Sequence, residues 1–153
     1  MHLMNSATQQ PHTADAGDLA TELRALVGKL KRRLREQADV GDFTPSQVSA
    51  LLRLEKEGPA TASNLARAEG MRPQSMSSVI AALEAAGMVR GEPDPTDGRR
   101  ILLSLTDSCR EWIQRGRAVR QDWLTRALRT RLSTEELDVV GHAIGLLSRL
   151  AED

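Results

Sequence analysis

Three features of the sequence predict a mainly helical protein carrying one small β-hairpin. Apolar residues recur at three- and four-residue spacing through long stretches at both ends of the chain. Capping signals open almost every such stretch. One short segment, RILLSLT, alternates instead, and it follows MVRGE across a connection rich in proline and aspartate.

The elements follow in order. Residues 1–17, MHLMNSATQQPHTADAG, lack apolar periodicity and are expected to form a disordered tail. Asp18 is expected to cap a helix over 18–38 whose Leu19, Leu23, Leu26, Leu30 and Leu34 fall at spacings of four, three, four and four. Its far end, KLKRRLRE, suits a helix C-terminus electrostatically and is expected to be a solvated face. In FTPSQVSALLRLEKEG, Thr44 is the N-cap, Pro45 the first helical residue, Gln47 the partner in a capping box and Gly58 the stop. A short helix from a Thr61 cap to Gly70 and another led by Pro73 and closed by Gly87 have helix-turn-helix spacing.

After Gly87, MVRGE and RILLSLT are expected to pair as antiparallel strands, with Ile101, Leu103 and Leu105 turned to one face. Asp97 and Gly98 supply the turn chemistry, and Pro93 and Pro95 stiffen the approach. A long helix capped by Thr106 runs to about Leu132, and Ser133 with Glu136 boxes the start of a last one. The expected organisation is a single domain over 18–153, in which 43–106 forms a winged helix-turn-helix lobe and 18–38 and 107–153 supply dimerisation helices.

Composition narrows the function. With no run of about 18 apolar residues and no signal-like segment, a cytoplasmic protein without a membrane partner is expected. The lone cysteine, Cys109, allows no internal disulfide, and His2, His12 and His142 have no ligand spacing, so neither metal nor cofactor is expected. No Gly-rich phosphate loop, G-x-S-x-G or H-E-x-x-H occurs, and an enzyme is not expected. Net charge is zero, 21 basic against 21 acidic residues, so a nucleic-acid footprint would have to be local. Only Lys29, Lys31 and Lys56 are lysines; the other 18 basic residues are arginine, the better phosphate clamp. With three aromatics, Phe43, Trp112 and Trp123, stacking on single strands is not expected.

The helix after Pro73 carries the recognition chemistry. Met76, Val79, Ile80 and Leu83 share one face, and the opposite arc holds Gln74, Ser77, Ser78, Ala81 and Ala85, short and uncharged. A major groove about 12 Å wide accepts such a helix, with Gln74, Ser75 and Ser78 at the end that contacts bases. A hairpin directly after a helix-turn-helix is the winged-helix order. Arg99 or Arg100 near its tip would enter the minor groove or clamp phosphate, with Asp94 or Asp97 holding the guanidinium through a charge-assisted bond.

These residues carry a family resemblance. Residues 43–110, and above all LEAAGMVRGEPDPTDGRRILLSLT, resemble the MarR family of bacterial winged-helix transcription regulators, whose wing has a D-P-x-D-x-R-R signature before a strand ending in L-T. The resemblance implies a homodimer that binds double-stranded DNA and represses or activates nearby genes under a small ligand. Position by position, it carries Pro73, Gln74, Ser75, Ser77 and Ser78 onto the start of the recognition helix, Asp97 onto the structural wing aspartate, and Arg99 and Arg100 onto the wing arginines. Arg72 stands where the family has a Ser or Thr cap, which weakens the cap and leaves Arg72 able to reach phosphate. Cys109 stands where glycine is common, and with no tyrosine in the chain it is expected to be a packed structural residue rather than a thiol sensor, although its place at a helix start could lower its pKa.

In the last helix, apolar residues cover about half the wheel, more than one neighbour needs. Leu137, Val140, Ile144, Leu147 and Leu150, with Leu19 and Leu23, are therefore expected to pack against a second chain, and His142 falls on the solvated side. The resemblance also implies a site for a small, often aromatic or anionic effector between lobe and dimer helices. Leu30, Leu34, Phe43, Val48, Trp112 and Ile113 are its expected lining, and serve equally well as core. The competing expectation is a winged-helix module that contacts protein rather than DNA.

Overall fold

The computed structural model describes residues 14–153. Six helices and one hairpin follow in order: α1 (Ala16–Gln37), α2 (Pro45–Glu57), α3 (Ala62–Ala68), α4 (Pro73–Ala85), β1 (Val89–Pro93), β2 (Ile101–Leu105), α5 (Asp107–Arg131) and α6 (Thr134–Ser148), with a final 3-10 turn at Arg149–Ala151.

Most ends lie where short-range chemistry puts them. The Thr44/Gln47 and Ser133/Glu136 boxes are both closed, each cap accepting from the N3 backbone while the N3 side chain accepts from the cap. Thr61 and Thr106 accept from the N–H groups of Asn64 and Cys109. Gly58 and Gly87 end α2 and α4 at φ of 86° and 74°, the left-handed region that a side chain resists. The first helix departs from expectation. Asp15, not Asp18, is the N-cap of α1, accepting the Asp18 N–H at 3.3 Å, so the helix starts inside the segment expected to be tail. One aspartate three residues before another satisfies an orphan donor a turn earlier, and Asp18 is left as first-turn charge. Residues 1–13 of the expected tail, with His2 and His12, lie outside the described residues.

The core belongs to the middle of the chain. Leu51 and Leu54 of α2, Leu65 of α3, Met76, Val79, Ile80 and Leu83 of α4, Val89, Leu103 and Leu105 of the hairpin, and Cys109 and Ile113 of α5 form one cluster. Each fully buried aliphatic side chain there stabilises the lobe by about 1.5–3 kcal/mol. By contrast α1 and α6 bury no residue at all. Within the chain α1 lies along α5, where the Arg33 guanidinium stands 5.8 Å from the centre of the Trp123 ring. The wing lobe is tied to α5 by the Arg117 guanidinium, which pairs with both oxygens of Glu55 on α2.

Cys109 is fully enclosed, and burial pushes its thiol up from its ordinary value, the opposite of what its helix-start position could have done. Ellman's reagent is therefore expected to react with Cys109 at the rate of unfolding, and at once in guanidinium chloride. A rapid native reaction would show that the α5 end of the core opens readily.

Candidate nucleic-acid interface

Two short helices set the reading element. After α3 the chain turns at Gly70, φ 63°, and the Met71 N–H donates to the Ala66 carbonyl at 2.8 Å. Pro73 starts α4, and four apolar side chains clamp one of its faces into the core. Arg72 makes no side-chain cap, as its guanidinium cannot accept a hydrogen bond. Gln74, Ser75, Ser77, Ser78, Ala81 and Ala85 are all exposed. The Ser77 and Ser78 hydroxyls donate back to the carbonyls of Pro73 and Gln74 at 3.0 and 3.4 Å.

The wing is held by its base. β1 and β2 pair antiparallel from Val89 opposite Leu105 to Pro93 opposite Ile101. Gly91 leaves room across the hairpin: a Cβ there would lie 2.8 Å from Cγ2 of Ile101, and that side chain would have to shift. Leu103 and Leu105 face inward as expected, but Ile101, paired with Pro93 at the tip end of the strands, is half-exposed. A residue with no strand signal completes the sheet. Ala60, between α2 and α3, exchanges two backbone hydrogen bonds with Leu103, at 2.8 and 3.1 Å. Its isolated position in a proline-bounded loop hid it from any test of alternation.

At the base, the Thr106 hydroxyl donates to the Gly87 carbonyl at 2.6 Å while accepting from Cys109 N–H at 3.1 Å. Thr106→Val is expected to cost about 1–2 kcal/mol, the usual loss of a cap. At this chain length that lowers Tm by about 2–4 °C per kcal/mol, while Thr106→Ser should keep most of it. Equal melting of wild type and Thr106→Val in calorimetry would contradict this role.

The wing tip corrects a second expectation. Neither Asp94 nor Asp97 pairs with an arginine guanidinium among the described residues. Asp94 accepts from the backbone N–H and hydroxyl of Thr96, both at 2.9 Å, and Asp97 accepts from the Arg99 backbone N–H at 3.1 Å. Two backbone bonds, Asp94 N–H to Arg100 O and Arg100 N–H to Asp97 O, close the loop. The carboxylates thus shape the backbone, as short acidic side chains do in turns. The Thr96 backbone and hydroxyl donors hold the Asp94 carboxyl below its ordinary range, with a smaller contribution from the charge of Arg100. This bonded form is therefore complete at neutral pH and is lost only as acid passes the depressed value. Arg99 and Arg100 are exposed, and neither guanidinium, nor that of Arg72, makes an ion pair among the described residues.

The expected effector residues divide between two grooves. Leu34, Phe43 and Val48 line one of about 560 Å³ together with Lys31, Arg35 and Arg120. Trp112 and Ile113 line another of about 320 Å³, which also reaches Arg120, and Leu30 lines neither. Trp112 meets Phe43 edge to face, ring centres 5.4 Å apart. Lys31, Arg35 and Arg120 carry no apolar periodicity, so a search for apolar lining passes over them.

A helix-turn-helix whose second helix presents a short polar face, followed by an arginine-tipped two-stranded hairpin, is a winged-helix DNA-binding lobe. The MarR family model matches residues 43–101. The HTH-type transcriptional regulator ML2140 of Mycobacterium leprae is 38% identical over 135 residues, 88% of this chain and 94% of its own. Among solved structures, a transcriptional regulator from Pseudomonas aeruginosa PA01 superposes with a TM-score of 0.76 at 33% identity, covering 88% of this chain and 94% of that one. A mutant of Staphylococcus aureus MepR bound to an oligodeoxyribonucleotide shares the fold, with a TM-score of 0.69 at 19% identity over 88% of this chain and 98% of its own. The chain belongs to the MarR family of HTH transcriptional regulators, DNA-binding and non-enzymatic.

Proposed function

We propose that this protein binds a pseudo-palindromic operator as a homodimer, represses transcription from it, and is released by a small effector. Residues 43–106 act as the DNA-reading lobe, and 18–38 with 107–153 as the dimerisation helices. The observation that carries the reading is the combination of an exposed polar start to α4 with three guanidinium groups, Arg72, Arg99 and Arg100, left without an acidic partner among the described residues. Gln74, Ser75, Ser77 and Ser78 face bases, Pro73 sets the helix start, and the arginines take phosphate or the minor groove. Asp94, Asp97 and Gly98 keep the wing tip in shape.

Dimerisation is supported by the apolar face of α6 and the turn after it, where Val139, Ile144 and Leu147 of the helix and Leu150 of the turn are 68%, 58%, 42% and 74% exposed in the single chain. Leu137 and Val140 of α6, with Leu19 and Leu23 of α1, belong to the same proposed interface. A two-fold dimer fits half-sites about 10 bp apart. Repression is supported by similarity to the transcriptional repressor NicR of Pseudomonas putida, 26% identical over 106 residues. Effector release is supported by the larger groove, whose apolar floor of Leu34, Phe43 and Val48 is edged by Lys31, Arg35 and Arg120 and suits an apolar anion. No helix among the described residues is long and apolar enough to cross a membrane.

Fluorescence anisotropy against duplexes from the protein's own upstream region, over a salt series, tests the reading. Binding that weakens steeply with salt supports it. Salt-insensitive association with protein, and none with those duplexes or with a random-duplex pool, would favour a protein-contact module instead.

A further inference from the structure

We infer that Gln74 is the base-specifying residue of α4, and that the half-site it meets in the major groove is read as A·T pairs with guanine left unread by the helix. This rests on the DNA-binding reading above and carries it to base chemistry.

The most frequent specific contact in a major groove is an arginine or lysine on guanine O6 and N7. Along its whole length, Pro73–Ala85, α4 holds no arginine or lysine. Its one charged side chain, Glu84, is turned toward β1, with Oε1 3.9 Å from where a Cβ on Gly91 would lie. Opposite the buried Met76, Val79, Ile80 and Leu83, the helix wheel places Gln74, Ser78, Ala81 and Ala85, all exposed.

These residues differ in what they can read. The Ser77 and Ser78 hydroxyl protons are used within the helix, which leaves lone pairs facing outward. Gln74 alone offers a donor and an acceptor side by side, and its side chain makes no hydrogen bond among the described residues. That pair matches N7 and N6 of adenine. Ala81 and Ala85 add methyl groups, whose counterpart in the groove is the C5-methyl of thymine. Arg72 lies outside the helix in extended backbone, φ −67° and ψ 145°, suited to phosphate at the groove's edge.

Selection from a random duplex pool, followed by atom-level base substitution in the selected site, tests this. Selected half-sites should carry A·T pairs opposite α4. Replacing the contacted adenine by 7-deazaadenine, which removes N7 and keeps N6, should weaken binding between about 2- and 13-fold, half the free energy of a bidentate base contact. Replacing thymine by uracil should cost about fourfold per methyl removed from water. Gln74→Ala should abolish the 7-deazaadenine effect while leaving the salt slope unchanged, which a merely structural role would not do. A required guanine whose 7-deaza analogue weakens wild type but not Arg72→Ala would overturn the inference and make Arg72 the base reader. A 7-deazaadenine effect that survives Gln74→Ala would overturn it too. If no duplex is selected at all, the DNA-binding reading falls first and this inference with it.

Discussion

Replacing Arg99 and Arg100 together by alanine is expected to lower operator affinity by about 100- to 1,000-fold near 0.15 M salt. A homodimer would lose four cations at its DNA contacts. Each cation that neutralises a phosphate contributes about 0.9 to the slope of log K against log salt, so the slope should flatten by about 3–4. The variant should fold normally. Both side chains are exposed, and the bonds that close the wing tip use the backbone N–H of Arg99 and the N–H and carbonyl of Arg100, which alanine retains. The paired lysine variants separate charge from shape: Arg99→Lys with Arg100→Lys should keep most of the slope and lose the bidentate component. Gel shift or anisotropy at three salt concentrations reads all of this. An alanine variant within twofold of wild type would remove the wing from the interface.

Ile144→Glu with Leu147→Glu is expected to leave the chain a 16.8 kDa monomer where the proposed dimer would otherwise form, and to weaken operator binding by about 100- to 10,000-fold, the range over which two linked contacts exceed one. Both residues are more than two-fifths exposed in the single chain, so a carboxylate costs little there until a second apolar face covers it. The central core contains no residue of α6, and the near-ultraviolet circular dichroism of Trp112, which packs against that core, should be kept. Sedimentation velocity decides between outcomes. A variant that still sediments as a dimer would move the interface away from α6.

Legibility followed the range of the interaction. The capping boxes at Thr44 and Ser133 and the caps at Thr61 and Thr106 depend on residues three apart, and each was readable directly. The core face of α4 was equally plain, since Met76, Val79, Ile80 and Leu83 obey one period. Asp15 and Asp18 show the limit of such reading: both are competent caps, and only the path of the chain selects between them. At the wing tip, Asp94 and Asp97 shape the loop, but through local donors and not through the arginine pairing expected of them. An aspartate two residues from a free N–H closes a small ring at once, and that local bond wins over a long, solvated arginine side chain.

By itself, the sequence determined which segments are helix, where all but the first start, that one hairpin follows a helix-turn-helix, and which residue types stand on the exposed face of its second helix. These depend on backbone geometry and hydrogen bonds within a few residues. Only the tertiary structure decided that Ala60 joins the sheet at Leu103, that Glu55 on α2 clamps Arg117 on α5, that Ile101 escapes the core, and that Lys31, Arg35 and Arg120 edge one groove. Those contacts join segments far apart in the chain. They exist only after the hydrophobic core has brought the segments together, and no local periodicity encodes them.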